Sequence, residues 1–219
     1  MAQNENENRI ITYKVCLIGD GGVGKTTYIN RVIDGRFEKR YNATVGATNN
    51  PVSFRDNYNN TILFDVWDTA GQEKYALLKD VYYIDAHAAI FFFDVTSRVT
   101  CQNLGRWVRE FQAVAGENVP IIVCANKMDL ISHRKAGKKQ VEEFLKGKMY
   151  RYYEISAKSE LNIIRPFVDL ARQLTRNANL IFASNVVEPS DINRSDVDFD
   201  QRVIEDAMNM LPDEYSRQP

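Results

Sequence analysis

Residues 19–26 read GDGGVGKT, Gly19 to Thr26. The apolar run YKVCLIG (13–19) leads into them, and a helical pattern from Thr26 to about Asp34 leads out, closed by Gly35. A strand, a glycine-rich turn and a helix start in that order make a backbone cradle. The glycines let successive N–H groups converge on one anion with no Cβ in the way. The helix start adds the positive end of its dipole. The spacing satisfies G-x-x-x-x-G-K-[S/T]. Lys25 then brings a point charge to the β- and γ-phosphates of a nucleotide, and the Thr26 hydroxyl is a ligand for Mg2+. The bland alternative is a glycine-rich turn that binds nothing.

Working outward, PVSFRD (51–56) and TILFDVW (61–67) flank the turn-rich spacer DNYNN and predict a hairpin. AAIFFFDV (88–95) and VPIIVCAN (119–126) are wholly apolar runs, which suits central strands covered on both faces. YRYYEIS (150–156) adds a sixth strand, and helical patterns fall near 102–115, 137–147 and 162–176. Strands alternating with helices predict an α/β domain over residues 11–177, a mostly parallel six-stranded sheet flanked by helices, with residues 1–10 polar and disordered. Residues 36–51 read as a loop. Residues 178–195, with Pro189, read as a linker, followed by SDVDFDQRVIEDAMNMLP. There Ser195 and Asp198 resemble a capping box, and Phe199, Val203, Ala207 and Met210 form one apolar stripe. That predicts an amphipathic helix over 196–212 and a short tail over 213–219. The stripe fits a switch element or a permanently docked core helix.

Composition sets bounds on function. At 219 residues, 44% hydrophobic and 26% charged, the chain can bury a core without staples. A net charge of -1 gives no global attraction to nucleic acid, and none is expected to bind directly. Cys16, Cys101 and Cys124 are odd in number and widely spaced, which suits a reducing compartment and no zinc site. No apolar run is long enough to span a bilayer, so a soluble protein is expected.

Two further motifs sit at strand ends, where ligand loops belong in such a sheet. NKMD (126–129) follows VPIIVCA. The Asp129 carboxylate can accept from guanine N1–H and from the exocyclic amine, whereas adenine would leave it unpaired. Asn126 leads the motif, and the Lys127 stem can cover the ring. SAK (Ser156, Ala157, Lys158) is placed to aim backbone donors at guanine O6. NKMD alone reads equally as a charged surface turn. TILFDVWDTAGQE puts Asp68 at a strand end, where a carboxylate holds Mg2+ through water. Gly71 can offer its N–H to the γ-phosphate, Gln72 can orient the attacking water, and Thr44 offers a second hydroxyl to Mg2+. Singly, Asp68 reads as a strand-end cap and Gln72 as a solvated loop residue. Together with the cradle they predict GTP hydrolysis by Gln72, Thr44 and Lys25, and two loops ordered by γ-phosphate.

GDGGVGKTT, DTAGQEKY, NKMD and ISAK, spread over about residues 11–177, resemble the small Ras-like GTPases, a branch of the P-loop NTPase fold. FEKRYNATVG, FDVTSRVT, YYEISAKS and the terminal LPDE are most similar to the Ran family of nuclear transport. That resemblance implies nucleotide contacts from Asp20, Gly21, Gly22, Val23, Gly24, Lys25, Thr26 and Thr27. It implies a first switch from Phe37 to Thr44, with Phe37 and Glu38 near the ribose and Lys39, Tyr41 and Ala43 beside the nucleotide. Tyr41 matches a tyrosine near the catalytic glutamine. Slow unaided turnover is implied, with GTP, GDP and Mg2+ as ligands. The implied partners are importin- and exportin-type nuclear transport receptors, a guanine-nucleotide exchange factor, a GAP and Ran-binding-domain proteins. The closing DEYSRQP has no cysteine and residue 2 is Ala2, so no lipid anchor is expected, and movement between nucleus and cytoplasm fits. The basic stretch His133–Lys148 aligns with a patch that meets acidic partners, or is a solvated helix face. Two other readings share parts of this chemistry: a Rab-type membrane-traffic GTPase and a P-loop kinase. A protein that binds GTP without hydrolysing it also stays open.

Overall fold

Strand β1 (Ile10–Ile18) lies near the middle of a seven-stranded sheet ordered β6-β5-β4-β1-β3-β2-β7. The computed structural model describes residues 9–38, 44, 46–69 and 79–187. The other strands are β2 (Ala47–Asp56), β3 (Thr61–Thr69), β4 (Ala88–Asp94), β5 (Ile121–Asn126), β6 (Arg151–Glu154) and β7 (Phe182–Val187). The pairings β1–β3, β1–β4, β4–β5 and β5–β6 are parallel, while β2 runs antiparallel to both β3 and β7.

Alternation along β1 shows why the sheet is covered on both sides. Val15 and Leu17 point into one core, with Tyr28 and Ile29 of α1 (Lys25–Asp34) and Phe167 and Leu170 of α6 (Arg165–Thr175). Cys16 and Ile18 point into the other. That second core takes Tyr82 and Tyr83 of α2 (Lys79–Tyr83), Cys101 of α3 (Arg98–Gln102), Trp107 and Phe111 of α4 (Leu104–Ala115) and Val141 of α5 (Lys138–Leu145). Every residue of β3, β4 and β5 is buried, and the apolar runs of β4 and β5 suit doubly covered strands.

Two readings of the sequence need revision. The sheet has seven strands rather than six, because β7 falls inside the stretch read as a linker. Its evidence in sequence is thin, because FASNVV is short and its backbone pairing is something side-chain periodicity cannot report; its Phe182 stacks on Phe54 with ring centroids 4.2 Å apart. Strand β2 also starts at Ala47 rather than Pro51. The polar ATNN that precedes Pro51 pairs with β3 through Ala47↔Thr69 to Asn50↔Val66, and that edge has little apolar pattern to reveal it. The predicted helix at 196–212 lies outside the described residues. Among the described residues no helix is long and apolar enough to cross a membrane.

The chain leaves β1, β3, β4, β5 and β6 at the same edge of the sheet. Strand order reverses about β1, whose neighbours β3 and β4 lead to opposite halves. Ligands in open α/β sheets sit outside such strand ends, and every motif singled out above follows one of them.

Candidate functional site

The phosphate cradle begins with Gly19 at φ +146°, where a Cβ would stand 2.4 Å from the Phe92 carbonyl oxygen. The close approach of the turn to β4 is thus open to glycine alone. Asp20 sends its side chain away from the cradle: Oδ2 accepts from Asn103 Nδ2 at 2.8 Å and Oδ1 from Trp107 Nε1 at 2.7 Å. Those bonds moor the turn to α4. Gly21, Gly22, Val23 and Gly24 complete it, with Thr26 and Thr27 in the first turn of α1. Lys25 is 6% exposed, and Nζ donates to Gly19 O at 2.7 Å and Asp20 O at 3.0 Å. An ammonium has three donors, so one remains for an incoming oxygen. Burial lowers the Lys25 pKa to about 8, against the opposing pull of Asp68 and Asp20. A phosphate beside it would restore the charge.

Thr26, Thr44 and Asp68 converge. Thr26 Oγ1 donates to Asp68 Oδ2, and the two threonine Oγ1 atoms are 2.9 Å apart. Since the Thr26 hydrogen points at the carboxylate, Thr44 is the donor between the hydroxyls. Asp68 is fully buried, and its Oδ1 has no hydrogen-bond partner among the described residues. Burial raises its pKa, while the Thr26 bond and the Lys25 charge act the other way. A buried carboxylate with an unpartnered oxygen, linked through its other oxygen to the Thr26 hydroxyl and so to Thr44, is a hard-oxygen donor set that fits Mg2+.

The base-reading motifs meet the cradle through Asn126, which is 2% exposed. Its Nδ2 donates to Val23 O at 2.9 Å, and its Oδ1 accepts from Lys127 N at 2.8 Å and weakly from Ala157 N at 3.4 Å. Phosphate loop, NKMD and SAK are thereby one hydrogen-bonded unit. Lys127, in the left-handed region at φ 68°, reaches from the base side to the cradle: Nζ bonds Gly22 O at 2.8 Å and pairs with Asp94 at 2.7 Å. Its stem therefore spans the gap between the two motifs. Asp129 Oδ1 accepts from Ser156 Oγ at 2.8 Å, and Lys158 Nζ stands 3.6 Å from Oδ2. The hydroxyl and the ammonium hold the Asp129 carboxylate at the mouth between the loops.

Phe37 and Glu38 follow α1, with Phe37 under the Arg31 guanidinium at 5.7 Å. Lys39, Tyr41, Ala43, Gly71 and Gln72 lie outside the described residues. Several groups escaped the reading of motifs. Asp94 anchors Lys127 from the end of β4, and a carboxylate closing an apolar strand was its available signal. Asn103 and Trp107 moor Asp20, and Arg31 bonds the SAK loop, but these contacts join residues far apart in sequence and leave no local trace. In the basic stretch, Arg134 pairs with Glu154 at 2.7 Å, whereas Lys135, Lys138, Lys139 and Lys146 are exposed.

A family model described as the Ras family matches residues 14–176. The chain is also similar to the GTP-binding nuclear protein GSP1 of Encephalitozoon cuniculi (strain GB-M1), with 66% identity over 188 residues that cover 85% of this chain and 88% of that protein.

Proposed function

This chain belongs to the Ras family, the small GTPases that bind GTP and hydrolyse it, and from that premise we propose that it is a Ran-type switch directing nucleocytoplasmic transport. The observation that carries the reading is the 66% identity, along most of both chains, to a protein named as GTP-binding and nuclear. The convergence of Lys25, Thr26, Asp68, Asn126 and Asp129 on one sheet edge supports it.

The roles follow from the chemistry of each group. Backbone N–H groups from Gly21 to Thr27 bind the phosphates, and the remaining Lys25 donor neutralises charge as the β–γ bond breaks. Mg2+, when bound, spreads positive charge over the β- and γ-phosphate oxygens. Thr26 and Thr44 would hold it directly and Asp68 through water. Asp129 selects guanine by accepting two hydrogen bonds, and the Ala157 and Lys158 N–H groups read O6. Gln72, whose amide both donates and accepts, orients the attacking water, and Gly71 donates to the γ-phosphate. Phe37, Glu38, Lys39, Tyr41 and Ala43 flank ribose and phosphates. Thr44 closes the first switch segment, so loss of γ-phosphate loosens that segment from the cradle.

In this reading the protein works in the nucleus and cytoplasm. Importin- and exportin-type receptors bind the GTP form, an exchange factor and a GAP set the two states, and Ran-binding-domain proteins attend the cycle. Pulldown of such receptors with GTP-loaded, GDP-loaded and Gln72→Leu protein tests it. Capture by the GTP-loaded and Gln72→Leu forms alone is expected. Equal capture by both nucleotide forms would overturn it.

A further inference from the structure

The segment from Ser156 to Ile164, which carries the SAK residues, is tied to α1 along its length. Arg31 Nε donates to Ala157 O at 2.9 Å and Nη2 to Lys158 O at 3.4 Å, while Nη1 pairs with Glu160 Oε1 at 2.9 Å. At the far end the Tyr28 hydroxyl donates to Ile163 O at 2.7 Å. The Arg31 side chain is 12% exposed and its bond to Ala157 O is part-buried, while its bonds to Lys158 O and Glu160 lie at the surface. A guanidinium is a rigid planar fork, and here one fork grips two successive carbonyls. In a trans peptide the C=O and the N–H point in opposite directions. Holding Ala157 O toward α1 therefore turns the Lys158 N–H away from α1. The loop needs such a hold: Glu160 and Asn162 both adopt left-handed conformations, at φ 61° and 56°. The Ala157 N–H makes a long 3.4 Å contact with Asn126 Oδ1.

We propose that Arg31 is a positioning residue for guanine recognition, holding the Lys158 N–H group where it meets the base oxygen. The proposal rests on the reading of Ser156–Lys158 as part of the base site. Arg31 itself touches no nucleotide atom in this scheme. It works through the carbonyls it grips, and its stacking on Phe37 at 5.7 Å joins that grip to the start of the segment leading to Thr44.

The test is release of fluorescently labelled GDP, with competition by GDP, IDP and 6-thio-GDP, on wild type, Arg31→Met, Arg31→Lys and Asp129→Ala. IDP lacks the exocyclic amine and reports on Asp129. 6-Thio-GDP replaces O6 by a weaker acceptor and reports on the backbone donors. Arg31→Met is expected to release GDP about tenfold faster, as for net loss of one to two hydrogen bonds. Its preference for GDP over 6-thio-GDP should shrink by a similar factor, with the GDP-to-IDP ratio unchanged. Arg31→Lys, with a single donor centre, should fall between, and it carries the test if Arg31→Met does not fold. An unchanged GDP-to-6-thio-GDP ratio in the folded variants, or a GDP-to-IDP ratio that falls equally, would overturn the proposal. If Asp129→Ala keeps its full preference for GDP over IDP, the base site itself has been misassigned, which is a separate failure.

Discussion

Asn126→Ala tests the joint between phosphate and base recognition. The substitution removes the donor to Val23 O at 2.9 Å, the acceptor for Lys127 N at 2.8 Å and the weak acceptor for Ala157 N at 3.4 Å. Two ordinary hydrogen bonds contribute about 1 kcal/mol each and the long one less. The Val23 carbonyl, on a fully buried residue, is left without this partner, which adds about 1 kcal/mol or more. The total is about 3 kcal/mol. Since these bonds orient both loops that grip one ligand, about 2 kcal/mol of it should appear as weaker nucleotide binding, or roughly 30-fold at 1.4 kcal/mol per decade. Stopped-flow release of labelled GDP with excess Mg2+ reads that factor directly, and urea unfolding of the nucleotide-bound protein reads the remainder. Asn126→Asp keeps the acceptors but sets a carboxylate against Val23 O, so it should be no better than alanine. Release within twofold of wild type, alongside a clear fall in stability, would refute the reasoning: Asn126 would then brace the fold without coupling the loops.

Gly19→Ala forces a Cβ to 2.4 Å from a backbone oxygen at φ +146°. Strain of about 1–3 kcal/mol plus the clash should remove more than about 4 kcal/mol of stability in urea titration, and a loss under 1 kcal/mol would contradict the packing described. Gln72→Leu should retain GTP with near wild-type affinity while losing most hydrolysis in single-turnover assays, because it removes the amide proposed to orient water and leaves the cradle intact. Burial raises the thiols of Cys101 and Cys16 to about 11 and about 12. No thiol should react with DTNB at pH 8 until the chain unfolds. Since the folded thiols keep protons that the unfolded ones lose, stability should fall as pH rises from about 9 through 11; a rise over that window, measured on a Cys101→Ala control as well, would count against the buried thiols as the cause.

Much of the fold was legible because doubly covered strands leave unbroken apolar runs, as in AAIFFFD and IIVCAN, and because turn chemistry at Gly19–Thr26 permits few backbones. The edge was less legible. β7 is short and pairs through its backbone, with Phe182 stacked on Phe54, and β2 opens with four polar or small residues. The site divides the same way. Lys25, Thr26, Asp68 and Asn126 stand out in sequence because a phosphate, metal or base contact would demand such a residue type at a fixed spacing. Arg31, Asn103 and Trp107 serve those residues from other elements, and only the folded chain brings Trp107 within 2.7 Å of Asp20 or Arg31 within 2.9 Å of Ala157.

The account stands most directly on guanine selection at Asp129. Competition of GDP and ADP for labelled GDP, on wild type and Asp129→Ala in Mg2+, measures it. A buried acceptor left unpaired by the wrong base supports discrimination of about 10⁴-fold or more, so wild type should reject ADP at that level and Asp129→Ala should lose most of it. An alanine variant that still rejects ADP as strongly as wild type would contradict the account.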